Sequence, residues 1–230
     1  MARLKVGVLV SGNGSNLQAL IDLCRRPGFP AEIVLVVSNK PGVKALDRAA
    51  RAGIATAVVP HEEYPDRLAF DQAIDAALRT ADVEFICLAG FMRVLSEMFV
   101  ELWRDRIINI HPSLLPSFKG LHTHRQALEA GVRFHGCTVH IVRPRLDDGP
   151  ILVQAVVPVL PGDDEQTLAA RVLKAEHKIY PQALRLVAEG RVTIEGTRAR
   201  IDDQFLGALE ELMNPPDRPR PPLPSPPARG

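Results

Sequence analysis

Apolar and polar positions along this 230-residue chain follow two periods in turn. Short, nearly uninterrupted apolar runs occupy Leu4–Val10 and residues 33–38, 55–59 and 83–88, as expected of strands covered on both faces. Between them, apolar residues recur at helical spacing. Leu17, Leu20, Ile21 and Cys24 do so within residues 16–26, and Leu68, Phe70, Ile74 and Leu78 within residues 66–80. A third helical segment, residues 43–52, stops at Gly53. The first 110 residues therefore read as a doubly wound α/β unit with a parallel sheet.

The rhythm changes beyond the apolar run that ends at residues 107–111. A helix is expected over residues 123–130, with Gly131 as its stop, followed by two β-type runs at 133–143 and 151–159. The loop between those runs is too short for a crossover helix, so they should pair antiparallel. The predicted fold is a Rossmann-like mixed sheet, mostly parallel and antiparallel late in the chain. Gly162-Asp163-Asp164 should open a long helix reaching about residue 189, interrupted at Pro181, whose ring lacks an amide hydrogen. A short strand at 191–195 follows, and the core should close near residue 200. Residues 1–200 then form one domain and 201–230 an extension. Within the extension, 201–213 has the pattern of a short amphipathic helix, and eight of the last sixteen residues are proline, which suits an extended tail.

Composition narrows the function. With 28 Lys+Arg against 27 Asp+Glu, the formal charge is +1, which gives no electrostatic case for nucleic-acid binding. Small molecules are the expected partners, with the chain a monomer or a homodimer. Cys24, Cys87 and Cys137 are too few and too scattered for a disulfide framework or a Cys-x-x-Cys metal site. No apolar stretch approaches the roughly 20 residues of a membrane span. A cytoplasmic protein is expected.

Three segments carry candidate chemistry. In Ile107-Ile-Asn-Ile-His-Pro-Ser-Leu-Leu-Pro116, Asn109 and His111 lie two apart at the end of an apolar run, so both side chains project to one side of a strand. Pro112 favours an extended His111. An amide beside an imidazole suits an acyl-type oxyanion; an ordinary strand end with a satisfied histidine accounts for the pair equally well. Ser11-Gly-Asn-Gly-Ser-Asn16 sits between the first strand and the first helix, where two glycines and a helix N-terminus can receive a phosphate. The loop lacks the third glycine of a dinucleotide fingerprint and the Gly-Lys-Ser/Thr ending of a triphosphate loop. The alternative there is a tight turn capped by Ser15 or Asn16. Finally, Asp147 and Asp148 occupy the late turn closed by Gly149-Pro150. One of them can face His111, or both can serve the turn alone. His122, His124, His135 and His140 match no standard zinc spacing, so no metal is expected.

Taken in order, these segments, together with Leu88-Ala-Gly-Phe-Met-Arg93, His122-Thr-His124 and Leu146-Asp-Asp-Gly-Pro150, resemble the glycinamide ribonucleotide formyltransferases, a branch of the folate-dependent formyltransferases. The resemblance covers residues 4–195. It implies formyl transfer from 10-formyltetrahydrofolate, as cosubstrate, to the amine of glycinamide ribonucleotide in purine biosynthesis. It implies a catalytic trio of Asn109, His111 and Asp147. Gly14, Ser15, Asn16 and Glu176 would bind the ribonucleotide. The folate would meet Met92, Arg93, Val94, Leu95, Asn109, Arg143, Pro144, Arg145, Leu146 and Asp147, with Arg67 near its distal end. Apart from the resemblance, Phe91, Met92 and Leu95 read as core and Glu176 as a solvated helix acid. Asp148 stands where such proteins often carry glycine. The Asn-x-His-Pro-Ser-Leu-Leu-Pro signature also occurs in formyltetrahydrofolate deformylases and methionyl-tRNA formyltransferases, which are expected to carry further domains. A non-catalytic nucleotide-binding module is the remaining alternative.

Overall fold

The computed structural model describes residues 2–202. Seven strands form one sheet: β1 (Leu4–Val10), β2 (Ala31–Ser38), β3 (Ala55–Val58), β4 (Phe85–Leu88), β5 (Ile107–His111), β6 (Phe134–Ile141) and β7 (Ile151–Pro158), in the spatial order β3-β2-β1-β4-β5-β6-β7. The first five are parallel, whereas β5–β6 and β6–β7 are antiparallel. The mixed sheet expected from the short 144–150 connection is thus present.

Helices cover both faces. α1 (Ser15–Cys24), α2 (Lys44–Arg51), α5 (Thr123–Glu129) and α6 (Glu165–Ala188) share one core with Val6, Val8 and Val10 of β1. α3 (Arg67–Thr80) and α4 (Glu97–Leu102) pack with Leu9, Leu35 and Val37 on the other side. Neighbouring β1 residues therefore feed opposite cores, which is why the strand reads as continuously apolar. Local signals set the helix starts. The Asp66 carboxylate accepts from the Ala69 amide and Ser96 Oγ from the Phe99 amide, while Asp164 and Thr167 form a reciprocal capping box.

Four expectations need correction. Pro181 does not interrupt α6, which is continuous over 24 residues. Pro181 is buried, and next to it Tyr180 sends its hydroxyl to the Leu88 and Ile108 carbonyls at 2.8 and 3.3 Å; packing on the sheet outweighs the one missing helix bond. α4 lies where no element was expected, as does a single 3-10 turn at His61–Glu63. Residue 201 closes a strand instead of opening a helix: β8 (Val192–Glu195) and β9 (Arg198–Ile201) form a separate hairpin. The rest of the segment expected to be helical and the proline-rich tail lie outside the described residues. No helix among the described residues is long and apolar enough to cross a membrane.

Candidate active site

The loops following β1, β4 and β5 gather at the carboxyl ends of the parallel strands, where β1 and β4 mark the switch in strand order. Ser11 ties two of these loops together. Its hydroxyl donates to Asn39 Oδ1 at 2.6 Å and accepts from the Met92 amide at 2.8 Å.

The loop after β1 is built to leave amides open. Gly14 is the N-cap of α1, at φ +72°, and no side chain caps the helix. The capped-turn alternative therefore fails at Ser15 and Asn16, and the first-turn amides remain free for an anion. Gly14 is needed twice over. Its φ lies in the left-handed region, and a Cβ would sit 2.7 Å from Ala45 Cβ and 2.8 Å from Ala45 Cα. The loop is fastened to α2 by the Ala45 amide, which donates to the Gly12 carbonyl. Arg48 adds bonds from Nε to the Asn13 carbonyl at 2.9 Å and from Nη1 to Gln18 Oε1 at 3.2 Å. Asn16 Nδ2 donates to Glu176 Oε2 at 2.7 Å. Glu176 is only 7% exposed, and burial raises its pKa, with the Asn16 bond as the smaller opposing influence. It is not a solvated helix acid.

On β5, Asn109 and His111 share a strand face, but their surroundings differ. His111 is buried; Nε2 donates to the Phe118 carbonyl at 3.1 Å and Nδ1 faces Asp147 Oδ2 at 3.6 Å. The same Asp147 oxygen accepts from the Gly120 amide at 2.9 Å. Asp147 Oδ1 lies 3.8 Å from His140 Nε2, which is 3.4 Å from Asn109 Nδ2. His140 Nδ1 is 3.0 Å from the Ile141 carbonyl. Burial lowers the His140 pKa, so the ring is neutral, donates from Nδ1 and accepts the Asn109 amide proton at Nε2.

Asp147 reaches this position at φ +49°. The loop returns so close to β6 that a Cβ on Gly149 would fall 1.7 Å from the Ile141 carbonyl oxygen. Asp148 turns away and pairs with Lys119 and Arg145. Of the two adjacent aspartates, Asp147 is the one against His111.

A cavity opens beside Asn109, His140 and Asp147. Its apolar lining is Leu88, Phe91, Val94, Leu95, Val100, Val142 and Leu146, and Arg93, Arg143 and Pro144 complete it. Phe91 thus lines the cavity as well as packing on the core. Met92 is 68% exposed rather than core. Met92, Arg67, Arg145 and His111 are not among the lining residues. Arg145 is a surface side chain paired with Asp148, and Arg67 stands exposed at the start of α3. A larger cavity, near Arg3, Phe29 and Glu189, lies at the amino ends of β1 and β2, away from these groups.

The formyl transferase family model matches residues 4–184. The chain belongs to the formyl transferase family. It is 59% identical over 190 residues to the trifunctional purine biosynthetic protein adenosine-3 of Drosophila pseudoobscura pseudoobscura, covering 82% of this chain and 14% of that protein. This chain spans between 14% and 20% of the length of such trifunctional relatives. With phosphoribosylglycinamide formyltransferase of Escherichia coli K12 it shares 45% identity over 203 residues, 88% of this chain and 96% of that protein. The crystal structure of glycinamide ribonucleotide transformylase 1 from Symbiobacterium toebii superposes with a TM-score of 0.85 at 48% identity, covering 87% of this chain and 95% of that one.

Two roles at the site escaped the sequence reading. His140 faces Asn109 across the β5–β6 ladder, a register that appears only once the strands are paired. Arg48 lies on α2, remote in sequence from the loop that it fastens. No group of three or more His, Cys, Asp or Glu side chains among the described residues is arranged to hold a metal ion. The three cysteines are buried, and burial pushes the Cys24 and Cys137 thiols up to about 12, so neither offers a thiolate.

Proposed function

We propose that this chain transfers a formyl group from 10-formyltetrahydrofolate to the amine of glycinamide ribonucleotide, a step of purine biosynthesis, in the cytoplasm and without a metal. One observation carries the reading: an uncapped phosphate-type loop follows β1 at the same carboxyl edge of the parallel strands where Asn109, His140, Asp147 and His111 cluster. The near full-length similarity to the Escherichia coli enzyme supports it.

In this reading the ribonucleotide phosphate takes the free amides of Ser15 and Asn16, and Glu176 receives the ribose or glycinamide end. The pterin enters the cavity walled by Arg93, Val94, Leu95 and the 143–147 loop. The neutral amine attacks the formyl carbon. A C–N bond forms, and the carbonyl oxygen takes negative charge in a tetrahedral intermediate. The bond to the folate nitrogen then breaks; that nitrogen gains a proton and the attacking nitrogen loses one. Asn109 Nδ2 carries a second amide hydrogen, beyond the one sent to His140, that can reach the oxyanion. His111 contributes when the oxyanion replaces the Phe118 carbonyl as the acceptor from Nε2. Asp147 stabilises the charged imidazole and assists removal of the amine proton. Each oxyanion donor is worth about 2.7–4 kcal/mol.

The test is an assay of purified protein with 10-formyltetrahydrofolate, with and without glycinamide ribonucleotide. Acceptor-dependent release of tetrahydrofolate is expected; release without acceptor would instead mark a deformylase. His111→Ala and Asp147→Asn should each lose most turnover while still binding the ribonucleotide. Wild-type turnover in either variant refutes the mechanism.

A further inference from the structure

A groove of about 660 Å³ runs between α1 and α6, from Ser15 at the phosphate loop to Arg26 and Arg185 at the far end. Formyl transfer makes no use of most of it. Arg26, Arg48, Lys178 and Arg185 line it, and none of the four has a carboxylate within 4.0 Å among the described residues, although most arginines elsewhere are ion-paired. Arg48 donates only to the neutral acceptors of Asn13 and Gln18. Asp22 is the only carboxylate in the lining, and it accepts a bond from Gln18 Nε2.

Four cations with no ion-pair partner among the described residues share one groove with a single carboxylate, Asp22, and repel one another, in a chain whose overall charge is only +1. An anion there relieves the repulsion. A monophosphate at Ser15 fills one end only. Toward Arg26 the groove follows α1 for roughly 14 Å, enough for further phosphoryl groups.

We infer that this groove binds a chain of phosphoryl groups, the first at the Ser15 end and the next ones along Arg48, Lys178, Arg185 and Arg26. The inference rests on the reading of the Ser15 end as a phosphate site. The ligand class is a linear polyphosphate, either inorganic or carried by a nucleoside triphosphate. Bound there, it excludes the monophosphate acceptor and inhibits transfer.

Isothermal titration of the full chain with tripolyphosphate and with orthophosphate tests this. Tripolyphosphate should bind about tenfold more tightly, as two or three exposed charge pairs provide. The double variant Arg26→Gln/Arg185→Gln should erase that advantage and leave orthophosphate binding, thermal melting and formyl transfer unchanged. Adenosine triphosphate binding as tightly as tripolyphosphate identifies nucleotides as a source, and binding at the orthophosphate level restricts the ligand to inorganic chains; both keep the site. Tripolyphosphate no tighter than orthophosphate, or an unchanged advantage in the double variant, overturns the inference. If formyl transfer proceeds in either of those cases, the proposed function stands and only the groove is misassigned. Polyphosphate binding without formyl transfer refutes the function alone.

Discussion

Replacing Gly14 with alanine should damage the loop after β1, the proposed phosphate site, in a way that can be measured twice. An L-residue at φ +72° costs about 1–2 kcal/mol. The new Cβ would lie 2.7 Å from Ala45 Cβ and 2.8 Å from the Ala45 Cα, and the second of these is backbone that no rotamer change can move. Overpacking of this kind costs about 1–3 kcal/mol, so the two effects total about 2–5 kcal/mol. The chain can absorb the strain by keeping its loop or by lifting the loop off α2. Lifting gives up the Ala45-to-Gly12 and Arg48-to-Asn13 bonds and scatters the amides that would meet the phosphate. Stability and phosphate affinity therefore share the loss. Urea unfolding reads the first, and titration with a phosphorylated ligand reads the second. Gly12→Ala is the control, because nothing lies within 4 Å of a Cβ there and its φ is not positive; its stability should stay within about 0.5 kcal/mol. A Gly14→Ala protein with midpoint and phosphate affinity both unchanged refutes the account of the loop.

Asp148→Gly should keep turnover within about twofold, whereas Asp147→Asn should lose at least about 100-fold; equal losses in a steady-state assay would mean that the wrong carboxylate has been assigned. Burial lowers the His135 pKa from 6.5 to about 4, with His124, 3.2 Å away, adding to the shift. Below pH 6.5 the unfolded chain then binds a proton that the folded chain refuses, so stability should fall as pH drops from about 6.5 to 4, by at most about 3 kcal/mol from this group. In His135→Gln that part of the slope should vanish, and urea midpoints with the same pH dependence in both proteins would refute it. Tyr180→Phe removes the donor to two buried carbonyls and should cost about 1–3 kcal/mol; calorimetric melting indistinguishable from wild type would show that those carbonyls do not need it.

The pattern of apolar runs revealed most of the sheet because β1, β2 and β4 are buried on both faces and leave no ambiguity of period. Chain length between β6 and β7 was enough to make that pair antiparallel. What escaped depended on contacts distant in sequence. The six residues of α4 are too few to display a period, and the packing of Pro181 and Tyr180 against the sheet is invisible in a propensity. The β8–β9 turn was readable, since Gly196-Thr197 is a two-residue hairpin signal, yet the apolar spacing after Ile201 drew that residue into an expected helix. At the site, Asn109 and His111 were legible as a pair, because alternation alone puts them on one face. His140 was not, because only the β5–β6 register brings it to Asn109. Nor does composition choose between Asp147 and Asp148; the choice follows from the φ of +49° at Asp147 and the close return of Gly149 onto β6.

The bond from His111 to Phe118 bears on how the proposed reaction gains selectivity for its transition state. With Nε2–H on the Phe118 carbonyl and Nδ1 toward Asp147, the imidazole starts with both nitrogens engaged. A formyl carbonyl in the ground state is a neutral acceptor, much like the Phe118 carbonyl, so exchanging one for the other gains almost nothing. An oxyanion is different, since a charge-assisted hydrogen bond is roughly twice as strong as a neutral one. The exchange becomes favourable only as negative charge develops. The Phe118 carbonyl thus acts as a competitor that cancels His111's contribution to ground-state binding and leaves the transition-state part, which is the part that raises kcat. Phe118 itself holds a φ of +56°, a backbone state that costs about 1–3 kcal/mol outside glycine.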